Sequence, residues 1–347
     1  MNLYLMPAYG KITQILVITA LSTAALCAQD IETIGKQTPL SSSGSVTASL
    51  MYYDTKGAIQ TYTPWSWVLS GRLDPVIYGI AVPISFTYSK ADGTFDQPFS
   101  RFGLSPKYKW ATLHLGYRNV SFSRFTLAGH SVLGAGLELN PGKLRFGAVY
   151  GRFSEKHYPR SINPADTLEL PTRKGFAVKL GLGNEKQYFD LIFTSIKDNA
   201  DAGAGQEYIS TSPPEGNNVF GVHTVFNLAK NLKVEVEGAL SLLTHNLNAE
   251  DIADSTDVPG IIQDLAGDLD LNTSSDYSTA LTSSLTYAKK SLSLGLQYQR
   301  IDPGYRSFGA YYFNTDLENV TLNSRFRALK KTLSIAASAG VQHDNLK

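Results

Sequence analysis

The sequence predicts an all-β fold, a transmembrane antiparallel up-and-down β-barrel, and three observations support this prediction. Apolar and small polar residues alternate over many segments, as in 291–299, which places successive side chains on opposite faces of a strand. Tight turns and long polar loops connect these segments alternately. After residue 28, no apolar run approaches the ~20 residues that a membrane-spanning helix needs.

The N-terminus predicts a signal peptide over residues 1–28. Lys11 supplies a positive charge, the apolar stretch 12–26 follows it, and Ala28 ends a segment that fits a cleavage site. The alternative is a lipoprotein that is acylated at Cys27. The bulky Leu26 argues against acylation, because a small residue usually precedes a lipidated cysteine. Cleavage would remove the only cysteine, so the mature chain could form no disulfide.

Residues 29–44, which contain Pro39 and a run of serines, predict an irregular lead-in, and residues 45–347 predict the barrel. About 14 strands are expected in it. The segments that alternate are 45–54, 65–73, 77–89, 106–118, 131–140, 143–153, 173–182, 187–198, 218–228, 231–244, 276–288, 291–302, 316–328 and 331–342.

The connections are alternately short and long, which predicts one trimmed end of the barrel, on the periplasmic side, and one end with large loops. One region departs from this rule, because the adjacent links 90–105 and 119–130 are both long. Either a strand near 122–126 has been missed, or 119–130 folds inward and crosses the lumen. The mixture of Arg124 with aromatic residues favours the inward loop, since a constriction would carry such residues.

Several strands carry charge on one face only, and this pattern predicts which face is lumenal. A lysine or arginine on the lipid face near the midplane would cost ~2–4 kcal/mol. The alternative is a soluble antiparallel sheet with one wet face, which would need a very large core to cover so many apolar faces. We therefore expect a charged lumen lining that comprises Arg118, Arg124, Lys179, Glu235, Glu237, Arg325 and Arg327.

No residue pattern predicts a catalytic, cofactor-binding or metal site, so an enzyme is not expected. His130 and Ser131 are adjacent and would point to opposite faces of a strand, with no acid to orient the histidine. Residues 268–272 resemble the start of a calcium loop, but Thr273 and Thr279 stand where a glycine and a bidentate glutamate belong. Removal of Lys11 lowers the net charge from +1 to zero, which gives no support for nucleic-acid binding.

Two blocks, residues 99–153 and 301–320, resemble a large set of uncharacterised outer-membrane β-barrel proteins of Bacteroidota, which have a porin-like architecture and no established substrate. The resemblance implies an outer-membrane barrel and transfers no site residue. Residues 342–347 lack the final aromatic residue with which barrels commonly end, so this is either a variant terminus or a fragment. The compared proteins continue past Lys347, which favours a fragment.

The functional expectation is a porin-like channel for small solutes in the outer membrane. The alternative is a non-conducting barrel that is a partner of an outer-membrane assembly or secretion complex. The expected partners are outer-membrane lipid, the barrel-assembly machinery during biogenesis and, for the alternative, other envelope proteins.

Overall fold

A computed structural model of the chain describes residues 39–52, 65–90, 101–154, 172–199, 213–250, 268–310, 314–328 and 333–346. They form one sheet of 17 strands, and every pairing is antiparallel. The prediction of an all-β, up-and-down fold is confirmed. Among the described residues, no helix is long and apolar enough to cross a membrane.

The strands are β1 (Leu40–Tyr52), β2 (Trp65–Ile77), β3 (Ile80–Ala81), β4 (Ile84–Lys90), β5 (Arg101–Leu104), β6 (Lys107–Tyr108), β7 (Ala111–Asn119), β8 (Ser131–Leu139), β9 (Leu144–Ser154), β10 (Arg173–Gly183), β11 (Tyr188–Asp198), β12 (Gly216–Ala229), β13 (Leu232–Thr244), β14 (Ser275–Lys289), β15 (Leu292–Ile301), β16 (Leu317–Ala328) and β17 (Leu333–Asp344). Each strand from β7 to β16 pairs with the strand before it and the strand after it. Within the described residues, β1 pairs with β2, and β17 pairs with β16.

The structure has 17 strands rather than about 14, because the expected strands 77–89 and 106–118 are each interrupted and β5 lies within the expected link 90–105. Residues 101–108 thereby form an additional crossing of the sheet. This crossing consists of β5 and β6, which lie between β3 and β4 on one side and β7 on the other. It is interrupted at Pro106, and the neighbouring crossing is interrupted at Pro83. Proline has no N–H to donate to the sheet, so both interruptions have the same cause.

With this extra crossing, short and long connections alternate along the whole chain. The short turns include 78–79, 109–110, 140–143 and 184–187, whereas 120–130, 199–215 and 245–274 are long. Residues 122–126 therefore do not form the missed strand. β1 begins at Leu40, which pairs with Ile77, so residues 40–44 are extended rather than irregular. The expected signal peptide over 1–28 lies outside the described residues.

The two faces of the sheet differ in chemistry, as a period of two requires. In β10, Phe176, Leu180 and Leu182 are exposed on one face, whereas Ala177 and Lys179 are buried on the other. The same division runs through the neighbouring strands. We call the face with buried positions the inner face and the other the outer face.

The inner face is covered by two connections, the first inner segment (residues 120–130) and the second inner segment (residues 302–310). Phe122 belongs to a buried cluster with Val132 of β8, and Phe125 belongs to another with Ile301 of β15. In a flat sheet β8 and β15 would lie about 34 Å apart, from seven strand spacings. Phe122 and Phe125 are only three positions apart, so they reach clusters at both strands only because the sheet curves around them.

Candidate functional site

The first inner segment is a compact turn that fills part of the interior. Phe122 N donates to Leu127 O at 2.8 Å, which closes the turn on itself. Phe125, Thr126 and Leu127 are 0% exposed. At the tip, Arg124 N donates to Oε1 of Glu237 at 2.5 Å, which ties the turn to β13. The prediction that 119–130 folds inward agrees with this geometry.

The second inner segment clamps the first through hydrogen bonds to its backbone. Tyr305 Oη donates to Phe125 O at 2.8 Å, and Ser307 Oγ donates to Thr126 O at 2.6 Å. The rings of Phe125 and Tyr305 are 6.0 Å apart in an edge-to-face arrangement, which suits aromatic quadrupoles. These bonds satisfy carbonyl groups that would otherwise be buried without a partner, so the two segments form one unit.

Two polar residues on the inner face hold the second inner segment in place. Asn217 accepts from Phe308 N at 3.0 Å through Oδ1 and donates to Ser241 Oγ at 2.8 Å through Nδ2. Ser241 Oγ in turn donates to Arg306 O at 2.6 Å. Both side chains are almost completely buried. The side chains of Asn217 and Ser241 thus provide hydrogen bonds to a segment that is too irregular to pair with a strand.

Burial raises the pKa of Tyr305, and the nearby carboxylate of Glu237 raises it further. The Tyr305 hydroxyl therefore keeps its proton and remains the donor to Phe125 O. The Tyr305 hydroxyl ionises less readily in the folded protein than in the unfolded protein. Its contribution to stability is therefore fully present below the pKa of an ordinary tyrosine, and it is lost as the pH rises from that value towards the higher pKa of the folded state.

Beneath the first inner segment, the inner face carries paired charges that meet across glycines. Arg145 of β9 and Asp190 of β11 form a bidentate pair at 2.7 and 2.8 Å across Gly181 of β10, which lies opposite both residues. A Cβ at Gly181 would lie 2.0 Å from the Asp190 carboxylate, so only glycine leaves room for this pair. Asp190 is 1% exposed, and its charge is compensated by Arg145.

Four of the seven expected lining residues lie near the first inner segment. Lys179 is 6% exposed, lies 3.8 Å from Glu138 and contacts the ring of Phe122 at 4.8 Å. Glu237 bonds the tip at Arg124, as described above. Glu235, two residues away on β13, accepts from Lys233 at 2.8 Å and contacts His223 at 3.2 Å.

The other three expected lining residues lie elsewhere on the sheet. Arg118 of β7 donates to Ser85 Oγ of β4 at 2.9 Å. Arg325 and Arg327 lie on β16, three strands from β13, and their side chains are exposed. The seven residues therefore form three separate groups and not one site.

Sequence reasoning missed a row of hydrogen bonds that has the residue types of a hydrolase triad. Ser105 Oγ lies 2.8 Å from His114 Nδ1, and His114 Nε2 lies 3.0 Å from Glu138 Oε1. Ser105 is 4% exposed, whereas a nucleophile must be open to its substrate. The row therefore ties β7 and β8 to the residues before β6, and it is structural. In the described part of the chain, no cluster of histidine, cysteine, aspartate and glutamate could hold a metal ion.

Sequence reasoning also missed the second inner segment, because the residues after 302 read as one of the long polar connections. The available signal was the apolar stretch Phe308-Gly309-Ala310 inside that loop, since Phe308 and Ala310 are buried. The two blocks singled out in the sequence, 99–153 and 301–320, contain the first and second inner segments.

An open cavity of about 690 Å³ lies along β14 to β17. Eight of its lining residues carry hydroxyl or amide groups, including Ser284, Thr286, Ser293, Gln297, Asn323 and Ser338. Arg325 and Arg327 also border it, as does Lys290 of the adjoining turn. The inner face thus has a filled, charge-paired half and an open, hydroxyl-rich half.

No protein-family model matches the chain, and no curated protein matches it. Among solved structures, it is similar to Pseudomonas aeruginosa OccK11 (OpdR), with 11% identity and a TM-score of 0.42 over 88% of this chain and 79% of that one. It is similar to P. aeruginosa OpdQ at 11% identity and a TM-score of 0.42, over 82% and 77% of the two chains. A mutant of the Rh. blastica porin gives 11% identity and a TM-score of 0.35, over 88% and 99%. We draw no conclusion about function from similarities of this size.

Proposed function

We propose that this chain is an integral outer-membrane β-barrel that acts as a porin-like channel for small solutes, narrowed by the two inner segments. The observation that carries the proposal is the division between an apolar, exposed outer face and a polar inner face. In that setting, outer-membrane lipid surrounds the sheet, and the barrel-assembly machinery acts during biogenesis. The proposed lumen lining includes Arg118, Arg124, Lys179, Glu235, Glu237, Arg325 and Arg327.

The outer face supports a hydrocarbon environment because its apolar side chains are exposed on consecutive strands. Leu180, Leu191 and Leu296 are 47%, 50% and 46% exposed. Other exposed apolar side chains on this face are Leu113, Leu115, Phe176, Phe220, Leu240, Leu281, Leu322 and Ile335. A soluble protein rarely exposes a contiguous apolar patch above a few hundred Å². A belt of this extent in water would drive aggregation, whereas lipid would solvate it.

Aromatic side chains near the strand ends also fit a membrane interface. Tyr52 and Trp65 lie at the long-loop ends of β1 and β2, with ring centroids 4.8 Å apart, and both are exposed. Tyr88 of β4 packs against Trp67 at 5.4 Å. Rings with a polar atom favour the headgroup level of a bilayer.

Planar-bilayer recording on purified, folded protein tests the channel. We expect stepwise conductance that disappears when the same sample is heat-denatured. A variant in which residues 122–127 are replaced by a six-residue Gly-Ser linker should conduct more than the wild type, because it removes three fully buried side chains. Folded barrels that never conduct, with or without the linker, would refute the proposal.

The complete burial of Phe125, Thr126 and Leu127 favours one second candidate, a non-conducting barrel that serves an outer-membrane assembly or secretion complex. In that case the inner segments would seal the lumen. The same recordings separate the two candidates. A wild type without conductance and a linker variant that conducts would support the sealed barrel, and co-purification with envelope proteins would then identify its complex.

A further inference from the structure

Arg325 and Arg327 differ from every other arginine in the described ranges because no side-chain partner is assigned to either guanidinium. Arg145 and Arg173 bind carboxylates, Arg118 donates to a serine, and Arg124 lies over a phenylalanine ring. Both Arg325 and Arg327 are exposed and border the 690 Å³ cavity. Unsatisfied guanidinium groups that point into an open cavity are available to a ligand.

Among the described residues, no carboxylate lines the cavity around this pair. None of the residues that line the cavity is aspartate or glutamate, and Lys290 adds a third positive charge. β15 contains no acidic residue. Along β16 the next carboxylate, Glu318, is seven residues from Arg325, or about 23 Å along the strand. That distance exceeds the screening length of about 8 Å at physiological ionic strength, so the local potential is positive.

The spacing of the two arginines suits a small anion with more than one oxygen. They are two residues apart on one strand and lie on the same face, so their Cα atoms are about 7 Å apart. Guanidinium groups bind carboxylate and phosphate oxygens in a bidentate manner. Beside the arginines on the same wall, Ser293 pairs with Arg325, and Asn323 lies two residues before it on β16. Their hydroxyl and amide groups can bind the remaining polar atoms of such a solute.

We propose that Arg325 and Arg327, together with the hydroxyl and amide wall of this cavity, form a binding subsite for small solutes that carry a phosphate or carboxylate group. A lipid headgroup shares this chemistry, but the arginines lie on the inner face. The outer face of the same strand presents Val320, Leu322 and Phe326. The subsite therefore faces the solute path. This inference deepens the proposed channel by naming its solute class, and it rests on that proposed function.

A titration that needs no conductance tests the subsite directly. Inorganic phosphate is titrated calorimetrically into folded protein in phospholipid-free detergent, for the wild type and for the double variant Arg325→Gln/Arg327→Gln. We expect saturable binding by the wild type and at least tenfold weaker binding by the double variant. The control is Arg72→Gln, since Arg72 already binds Asp74 at 2.9 Å, and it should bind phosphate as the wild type does.

Reversal potentials in a KCl gradient then report selectivity. The wild type should prefer chloride, and the double variant should lose that preference while it keeps its conductance. Equal phosphate binding by all three proteins, or no binding by the wild type, would overturn the subsite. So would binding that appears only with phosphatidylglycerol vesicles, which would assign the pair to headgroups. Loss of phosphate binding in the double variant, in a protein that never conducts, would keep the subsite and refute the channel.

Discussion

Asp190 shows how a buried charge on the inner face is stabilised by one ion-pair partner. Its carboxylate is almost completely buried and is held by two hydrogen bonds from Arg145. Two charges removed from water are stable only while each satisfies the other. Loss of one partner therefore costs more than the pair itself contributes.

We predict that Asp190→Asn destabilises the fold by about 3–5 kcal/mol, because it leaves the largely covered Arg145 guanidinium, 19% exposed, without its counter-charge. Urea unfolding of protein refolded into lipid vesicles measures this loss. The matched control is Asp74→Asn, whose partner Arg72 is 67% exposed, and it should cost about 0–1 kcal/mol. Equal losses in the two variants would contradict the assigned roles.

For individual charged residues, the sequence predicted the face of the sheet on which each lies but not its bonding partner. Lys179 and Glu237 were expected on the inner face because their neighbours at odd spacing are apolar. That Glu237 binds the backbone of Arg124 was not predictable, since the two residues are 113 positions apart. Their contact depends on how the whole sheet curves.

Gly309 controls how closely the two inner segments approach each other. Gly309 O accepts from Ala128 N at 3.0 Å, and a Cβ at Gly309 would lie 2.6 Å from Thr126 O. Such a distance is shorter than any real contact, and the neighbour is backbone, so one segment would have to move. The clamp between the segments thus depends on the absence of a side chain.

We predict that Gly309→Ala separates the inner segments and destabilises them by about 1–3 kcal/mol, the usual cost of overpacking. Limited proteolysis should cleave within 120–130 more rapidly than in the wild type, and channel recordings should become noisier. The control is Gly295→Ala on β15, where the nearest atoms to a new Cβ lie 3.9 Å away. Unchanged protease sensitivity in Gly309→Ala would refute the close approach.

Among the elements, long alternating strands were predictable, and the short interrupted ones were not. β10 and β11 agree with the expected 173–182 and 187–198 to within one residue. β5 and β6 have four and two residues, with Pro106 between them, which is too short for a period of two to be recognised. Their place is set by pairing with β4 and β7, which is a contact between distant parts of the chain.

For the whole molecule, the proposed membrane environment leads to a prediction about one pair of adjacent residues. Leu296 lies on the outer face near the middle of β15, and Gln297 lies on the inner face. We predict that Leu296→Arg costs about 2–4 kcal/mol in a bilayer, whereas Gln297→Arg costs little, because only the first places a charge in hydrocarbon. Unfolding from vesicles measures both. Equal costs would contradict a lipid-facing outer surface.

The same environment constrains the edges of the sheet. The described residues pair β1 only with β2 and β17 only with β16. In hydrocarbon, every backbone N–H and C=O group must have a hydrogen-bond partner. The remaining edges of β1 and β17 would therefore be paired in a bilayer.

By itself, the sequence determined the strand alternation and the sorting of apolar and charged side chains to two faces, and it favoured an inward loop at 119–130 over a missed strand. These are local properties, because a side chain's face depends only on its position within a strand. The tertiary structure alone decided the clamp by Tyr305 and Ser307, the charge pairs that meet across Gly181, and the cavity beside Arg325. Each of these depends on contacts between residues far apart in the chain, and curvature of the sheet creates those contacts.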